Sequence, residues 1–137
     1  TNDGLMERFE TTGVLSKAAA EAYGARGVPA RASGVSFDLR RDHPYAGYQG
    51  LTVAVATKPA GDVRARFSVR VMELDESFRI IRALLNGLPS GSALGTLNTS
   101  AGSALGWAEA WRGGVIDWVR LTADGTIDAQ AAPVAET

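Results

Sequence analysis

Residues 62–89 read DVRARFSVRVMELDESFRIIRALLNGLP, and the fold turns on this stretch. Val63, Phe67, Val71, Leu74, Phe78, Ile81 and Leu85 recur at steps of 4, 4, 3, 4, 3 and 4 residues. Six steps over 22 residues give a period near 3.67, which is one face of an α-helix and not the alternation of a strand. Asp62 stands where a carboxylate can accept the first free backbone N–H groups, and Gly87 with Pro89 ends the element. Asp75 with Arg79, and Arg70 with Glu73, have the spacing of helical ion pairs, each contributing about 0.2–0.5 kcal/mol. Burying the seven apolar side chains would contribute roughly 1.5–3 kcal/mol each before conformational entropy is subtracted. The stripe is therefore expected to face the core, and a partner only second.

Working toward the N-terminus, Lys58-Pro59-Ala60-Gly61 reads as a turn and 51–57 (LTVAVAT) as a strand with Leu51, Val53 and Val55 on one face. Residues 24–50 are rich in Gly, Pro and charge but also carry Phe37, Tyr45 and Tyr48, so they read as an ordered loop packed against something. Ser16 caps a short alanine-rich helix that Gly24 stops. Residues 1–9 read as a lead-in. Toward the C-terminus, 90–106 is Ser/Gly/Thr/Asn-rich and reads as a flexible connection. Residues 107–111, 115–122 and 126–132 then read as antiparallel strands, with turns at Arg112-Gly113-Gly114 and Ala123-Asp124-Gly125. The expected class is α+β: a long amphipathic helix packed on an antiparallel sheet of about four strands, with a loop-rich N-terminal third. Residues 1–137 form a single domain with three parts, at 1–50, 51–89 and 107–132.

Composition narrows the function. Fourteen Lys and Arg balance 15 Asp and Glu, a net charge of -1, which lacks the concentrated positive field that nucleic acid requires. The 45% hydrophobic content excludes intrinsic disorder. There is no cysteine and one histidine, His43, so the chain can build neither a disulfide nor a thiolate-bound metal or cluster. No segment approaches the ~20 apolar residues that span a bilayer.

Three motifs stand out together: Arg8-Phe9-Glu10-Thr11-Thr12-Gly13 running into the first helix; Arg31-Ala32-Ser33-Gly34-Val35 followed by Asp38-Leu39-Arg40-Arg41 and Pro44-Tyr45-x-x-Tyr48; and Glu109-Ala110-Trp111-Arg112-Gly113 opening a hairpin. Gly61-Asp62, Arg66 and Arg70 ahead of and within the long helix fit the same order. Over 8–127 this pattern resembles the large subunits of [NiFe] hydrogenases, above all the energy-converting kind of formate hydrogenlyase, and the homologous subunit of respiratory complex I.

The resemblance implies an oxidoreductase parent with a nickel–iron centre or a quinone, and iron–sulfur clusters in a partner subunit. It implies partnership with the remaining parts of the same large subunit, an iron–sulfur small subunit and membrane subunits. The location would be the cytoplasmic side of the inner membrane, held peripherally through those partners. The family's paired cysteines, CxxC near one end and DPCxxC near the other, are absent here. The extent matches the middle of such a subunit, so the chain is expected to be a segment of a longer polypeptide, a non-catalytic structural part with no cofactor of its own. The alternative is a free-standing interaction module of the same fold that has lost redox chemistry. Two departures from the family are Gly114, where Glu often follows the Arg-Gly pair, and a short 90–106 region.

Arg31, Ser33, Gly34, Asp38, Arg40, Tyr45, Tyr48, Glu109, Arg112 and Gly113 carry the motifs. Arg31 and Arg40 flanking Asp38 read first as a guanidinium–carboxylate clamp that pins the loop, and second as support beside the metal or quinone cavity of a whole subunit. His43 reads as a loop hydrogen-bonder, since ligation needs companions. Asp117 lacks the second titratable group that acid–base work needs. Trp107, Trp111 and Trp118 read as sheet core or interface. Neither Gly24-x-x-Gly27 nor Gly87-x-x-x-Gly91 has the strand–loop–helix setting of a phosphate site. No Ser/His/Asp order supports a hydrolase. If the 24–50 loop packs on absent parts of a subunit, it should be mobile here or paired with another copy.

Overall fold

The computed structural model describes residues 3–91, 95, 100–110 and 113–131. The order is α1 (Asp3–Phe9), α2 (Lys17–Ala22), α3 (Gly27–Ala32), α4 (Leu39–Asp42), a 3₁₀ turn at Ala46–Tyr48, α5 (Val63–Asn86), β1 (Gly102–Ala110), β2 (Gly113–Leu121) and β3 (Ile127–Ala131). The class is α+β with a loop-rich N-terminal third, as the sequence predicts.

The local signals act as expected at several points. Ser16 Oγ accepts from Ala19 N at the start of α2, and Gly24 turns the chain out of it at φ +64. Asp62 Oδ1 accepts from Ala65 N at 2.7 Å, and its Oδ2 takes Thr11 N at 3.0 Å, so one carboxylate caps α5 and ties down the α1–α2 connection.

The sheet is an antiparallel meander in the order β1-β2-β3, with Trp107 opposite Ile116, Ala110 opposite Gly113, and a bulge at Arg120/Leu121. Among the described residues it has three strands where about four were expected. Residues 51–57 form no strand of the sheet among the described residues. Two of their backbone groups go to side chains of α5 instead: Ala54 N donates to Glu76 Oε1 at 2.8 Å and Thr52 O accepts from Arg79. β1 also begins at Gly102, inside the stretch read as a flexible connection, because pairing with β2 recruits its small residues.

The core is where the sequence reading placed a loop. Ala20, Ala25, Val28, Ala30, Ala32 and Leu39 are buried, with Val53, Ala56, Ala65, Val69 and Ile80. Val28 and Ala32 of α3 pack on Ala65 and Val69 of α5, with Ala56. So 24–50 contains two short helices and a 3₁₀ turn, and much of it is interior. It packs within the chain itself, which removes the reason to expect it mobile.

The long helix therefore presents the opposite face from the one expected. Its buried residues are Ala65, Val69, Glu76 and Ile80. Phe67, Val71, Leu74, Phe78, Ile81 and Leu85 are 46–61% exposed. At 100° per residue these two sets lie about 180° apart. The helix rests chiefly on α3, not on the sheet. The small side chains allow that approach: α3 is GVPARA, and α5 answers it with Ala65 and Val69.

Close approach also fixes one glycine. Gly61, at φ +70, donates its N–H to Ala32 O at 2.7 Å and accepts from Leu15 N at 3.0 Å. A β-carbon there would lie 2.0 Å from Leu15 O. No helix among the described residues is long and apolar enough to cross a membrane.

Candidate functional site

The motif residues converge on one buried guanidinium. Arg31, in the last turn of α3, is 4% exposed. Its Nε donates to Glu73 Oε1 of α5 at 2.5 Å, and its Nη1 donates to Phe37 O at 3.0 Å and to Glu109 Oε1 of β1. Glu109 Oε2 accepts from Leu39 N at 3.2 Å. One cation thus links α3, α5, the loop ahead of α4, and the sheet.

Beside it, Arg40 forms a two-pronged clamp on Asp38: Nε to Oδ1 at 2.9 Å and Nη2 to Oδ2 at 2.7 Å. Asp38 Oδ1 also accepts from Arg40 N at 3.0 Å, capping α4. Asp38 Oδ2 lies 4.0 Å from Arg31 Nη1, joining the two pairs electrostatically. Asp42 Oδ2 accepts from Asp38 N at 2.9 Å, and Arg41 holds Asp42 in turn.

The electrostatics lock these charges in place. Burial alone would lower the Arg31 pKa, but hydrogen bonds to Glu109 and Glu73 hold it above the ordinary arginine value. Burial alone would raise Asp38, but the Arg40 guanidinium holds its carboxyl below the usual carboxylate range. Arg40 is raised by its hydrogen bond to Asp38. No buried side-chain N or O among the described residues lacks a partner.

Tyr45 and Tyr48 meet edge to face, centroids 5.1 Å apart, and close one side of a cleft of about 280 Å³ whose other walls include Arg31, Arg40, Glu73 and Glu109. Burial raises the Tyr45 phenol, which therefore stays protonated across neutral pH. Ser33 is buried and donates to Pro29 O at 2.9 Å; Gly34 turns the chain at φ +85. Both shape the exit from α3 and neither reaches the cleft wall. Gly113, at φ 144, lies under Gly27, whose β-carbon would come 3.5 Å from both Ala110 O and Gly113 N. The hairpin end is thus seated on the start of α3. Arg112 and Trp111 lie outside the described residues.

The expected clamp is present, with one change and one addition. Arg31 does not share Asp38 equally with Arg40; its hydrogen bonds go to Glu109, Glu73 and Phe37 O. Glu73 is the residue that sequence reasoning missed, because i,i+3 spacing had assigned it to Arg70. The available signal was its position opposite the apolar stripe. Likewise Arg79 pairs with Glu76, not with Asp75. The His43 ring lies tilted against Trp107, centroids 5.4 Å apart, and 6.4 Å from Phe37. Arg26 sits over Phe37 at 4.6 Å. Trp107 is on the surface, and its indole nitrogen would lie 3.1 Å from a β-carbon at Gly114.

The donor set bears on the groups the resemblance implied. The chain has no cysteine, and among the described residues no three metal-ligating side chains come together. A thiolate-bound nickel–iron centre does not fit these residues. A quinone ring needs an apolar slot with free donors at its carbonyls. The cleft offers charged groups that already pair with one another, so it does not by itself make such a slot.

Fold and clamp together define a class: an α+β framework in which an arginine in a Gly-rich RASG turn ties a long helix to a β-hairpin. A solved structure of the same class is a chain of the membrane-bound sulfane sulfur reductase, an archaeal respiratory membrane complex, at TM-score 0.75 and 31% identity over 92% of this chain and 36% of that one. The chain belongs to the family described as the respiratory-chain NADH dehydrogenase 49 Kd subunit, whose model matches residues 1–105. Among curated relatives, the first of the D-type subunits of NADH-quinone oxidoreductase in Chloroherpeton thalassium is 45% identical over 64% of this chain and 20% of its own length. The second D-type subunit of the same enzyme in Koribacter versatilis is 48% identical over 66% of this chain and 23% of its own length. The chain thus spans about a fifth of the length of these relatives.

Proposed function

We propose that this chain is a structural segment of a hydrogenase-like large subunit, of the kind found in NADH-quinone oxidoreductase, in a membrane-associated respiratory electron-transfer complex, and that it carries no redox step itself. The observation that supports this most is the Arg31 node. Glu73, Glu109 and Asp38 are all engaged by guanidinium groups, so none is held as a free acid or base. What the node does is mechanical: it fixes α3, α5 and the β-hairpin in one arrangement. In this reading the iron–sulfur subunit and the membrane subunits supply the redox groups and the attachment to the cytoplasmic face. The rest of the large subunit supplies any metal or quinone site.

The test belongs in an assembled complex that contains this segment. Arg31→Met should reduce the amount of complex on a native gel several-fold, while quinone reduction per assembled complex stays near wild type. Full assembly with activity lost would assign Arg31 to the chemistry and overturn the structural reading.

A further inference from the structure

The end of α5 carries a pair of residues with a chemistry that the Arg31 node does not use. Asn86 is followed by Gly87, and of the three asparagines in the chain it alone precedes a glycine. An asparagine amide carbon can close a five-membered ring with the backbone nitrogen of the next residue, and glycine there has no β-carbon to hinder the approach. Both residues are exposed. The Gly87 N–H donates to Ala83 O and Leu84 O at 3.2 Å each. These are bonds at the long end of the normal range, in the final turn, where helices fray.

We infer that Asn86 is a site of spontaneous deamidation, opened by fraying of the last turn of α5. Once that turn lets go, the Gly87 nitrogen passes its proton to solvent and attacks Asn86 Cγ. The N–Cγ bond forms, the Cγ–Nδ2 bond breaks, and the amide nitrogen takes up a proton and leaves as ammonia. Water then opens the succinimide: attack at Cγ gives aspartate, and attack at the backbone carbonyl carbon gives isoaspartate, with the chain running through Cγ. No oxidant or reductant takes part. The Asp-Gly steps do not compete. Asp124 Oδ1 accepts from the Thr122 hydroxyl, from the Thr126 hydroxyl and from Thr126 N at 3.2 Å, which hold it ionised, and a carboxylate is a poor electrophile. Asp3-Gly4 likewise offers a carboxylate in place of an amide. Deamidation puts a negative charge at the C-terminal end of α5, against its last carbonyls. Isoaspartate also adds one main-chain atom ahead of Gly87 and breaks its bonds to Ala83 and Leu84. Leu84 is the side chain that lies against Gly47, so the change loosens the 3₁₀ turn that carries Tyr48 and, with it, one wall of the cleft.

The test is to age the full 137-residue chain in mildly alkaline buffer and map its peptides by mass spectrometry. The peptide holding residue 86 should gain the mass difference between asparagine and aspartate and accept methyl label from an isoaspartyl methyltransferase. Its rate should rise in proportion to hydroxide, and it should be severalfold faster in urea than in the folded chain. Gly87→Ala should slow it severalfold with the fold intact, because φ at Gly87 is -102 and a β-carbon there would meet Ala83 O at 3.5 Å and Leu84 O at 3.9 Å, both ordinary contacts. An Asn86 that stays intact in the folded chain while the urea-unfolded chain is fully converted would overturn the proposal. So would equal rates in the folded and unfolded chains, or equal rates in wild type and Gly87→Ala.

Discussion

At Arg31 the cost of burying a guanidinium is offset by three hydrogen bonds and two carboxylates. Such a site is sensitive to the loss of one partner, because the others are then left buried and unpaired. Asp38 is the second residue whose state can be read out by pH. Its folded pKa lies below the ordinary 3.8, so the unfolded chain binds its proton more readily. Its contribution is complete above about pH 4 and is lost as pH falls through the lowered folded value. The urea midpoint should fall on acidification below about pH 4, and Asp38→Asn should flatten that limb. The slope that remains would come from the other carboxyls held low: Asp42 and Glu76 by Arg41 and Arg79, Asp62 by the backbone N–H groups of Ala65 and Thr11, and Asp124 by Thr122 and Thr126. Gly61 makes a steric prediction. Gly61→Ala puts a β-carbon against Leu15 O in a left-handed backbone and should cost more than about 3 kcal/mol in denaturant unfolding. Wild-type stability for that variant would show that the α2 and α5 junction yields.

The elements show what a single sequence reveals. The bounds of α5, the Ser16 cap, the Gly24 stop and the Asp124-Gly125 turn were legible because each depends on neighbours in sequence. Which face of α5 packs was not legible. Periodicity marks an apolar face but not what lies against it, and here the interior contact is made by a narrower set, Ala65, Val69 and Ile80 with Glu76, than the wide outward stripe. α3 was hidden because GVPARA contains Gly and Pro; Pro29 is tolerated in the first turn, where its missing N–H would have had no helical acceptor. Residues 51–57 have strand propensity, but Glu76 and Arg79 occupy their backbone groups. The clamp was legible in the RASG and DLR motifs, whereas its link to Glu73 is a contact between residues 42 positions apart. A packing prediction follows. Val69→Ala should cost about 1.5–3 kcal/mol, since Val69 is fully buried. Leu74→Gln, at a position 56% exposed, should change the unfolding midpoint little. The reverse order would mean that the apolar stripe faces the core after all.

Across the whole molecule, the helical half holds the apolar core, and the sheet is joined to it through Glu109, the Gly27–Gly113 contact and the hairpin end. The sheet contributes almost nothing to the buried clusters, and Leu105, Ile116 and Ile127 are exposed. Amide exchange should therefore be slowest in α3 and the middle of α5 and fastest in β3. Uniform protection across both halves would show a sheet face covered by something more. The central claim is that the Arg31 node couples the two halves, and a double-mutant cycle on Arg31→Met and Glu109→Leu measures it most directly. Each single change should cost about 3–5 kcal/mol by leaving buried charge unpaired. The double variant should cost less than their sum by at least ~1–3 kcal/mol. Costs that simply add would contradict the account, for they would mean that Arg31 and Glu109 act separately and that the hairpin is held by something else.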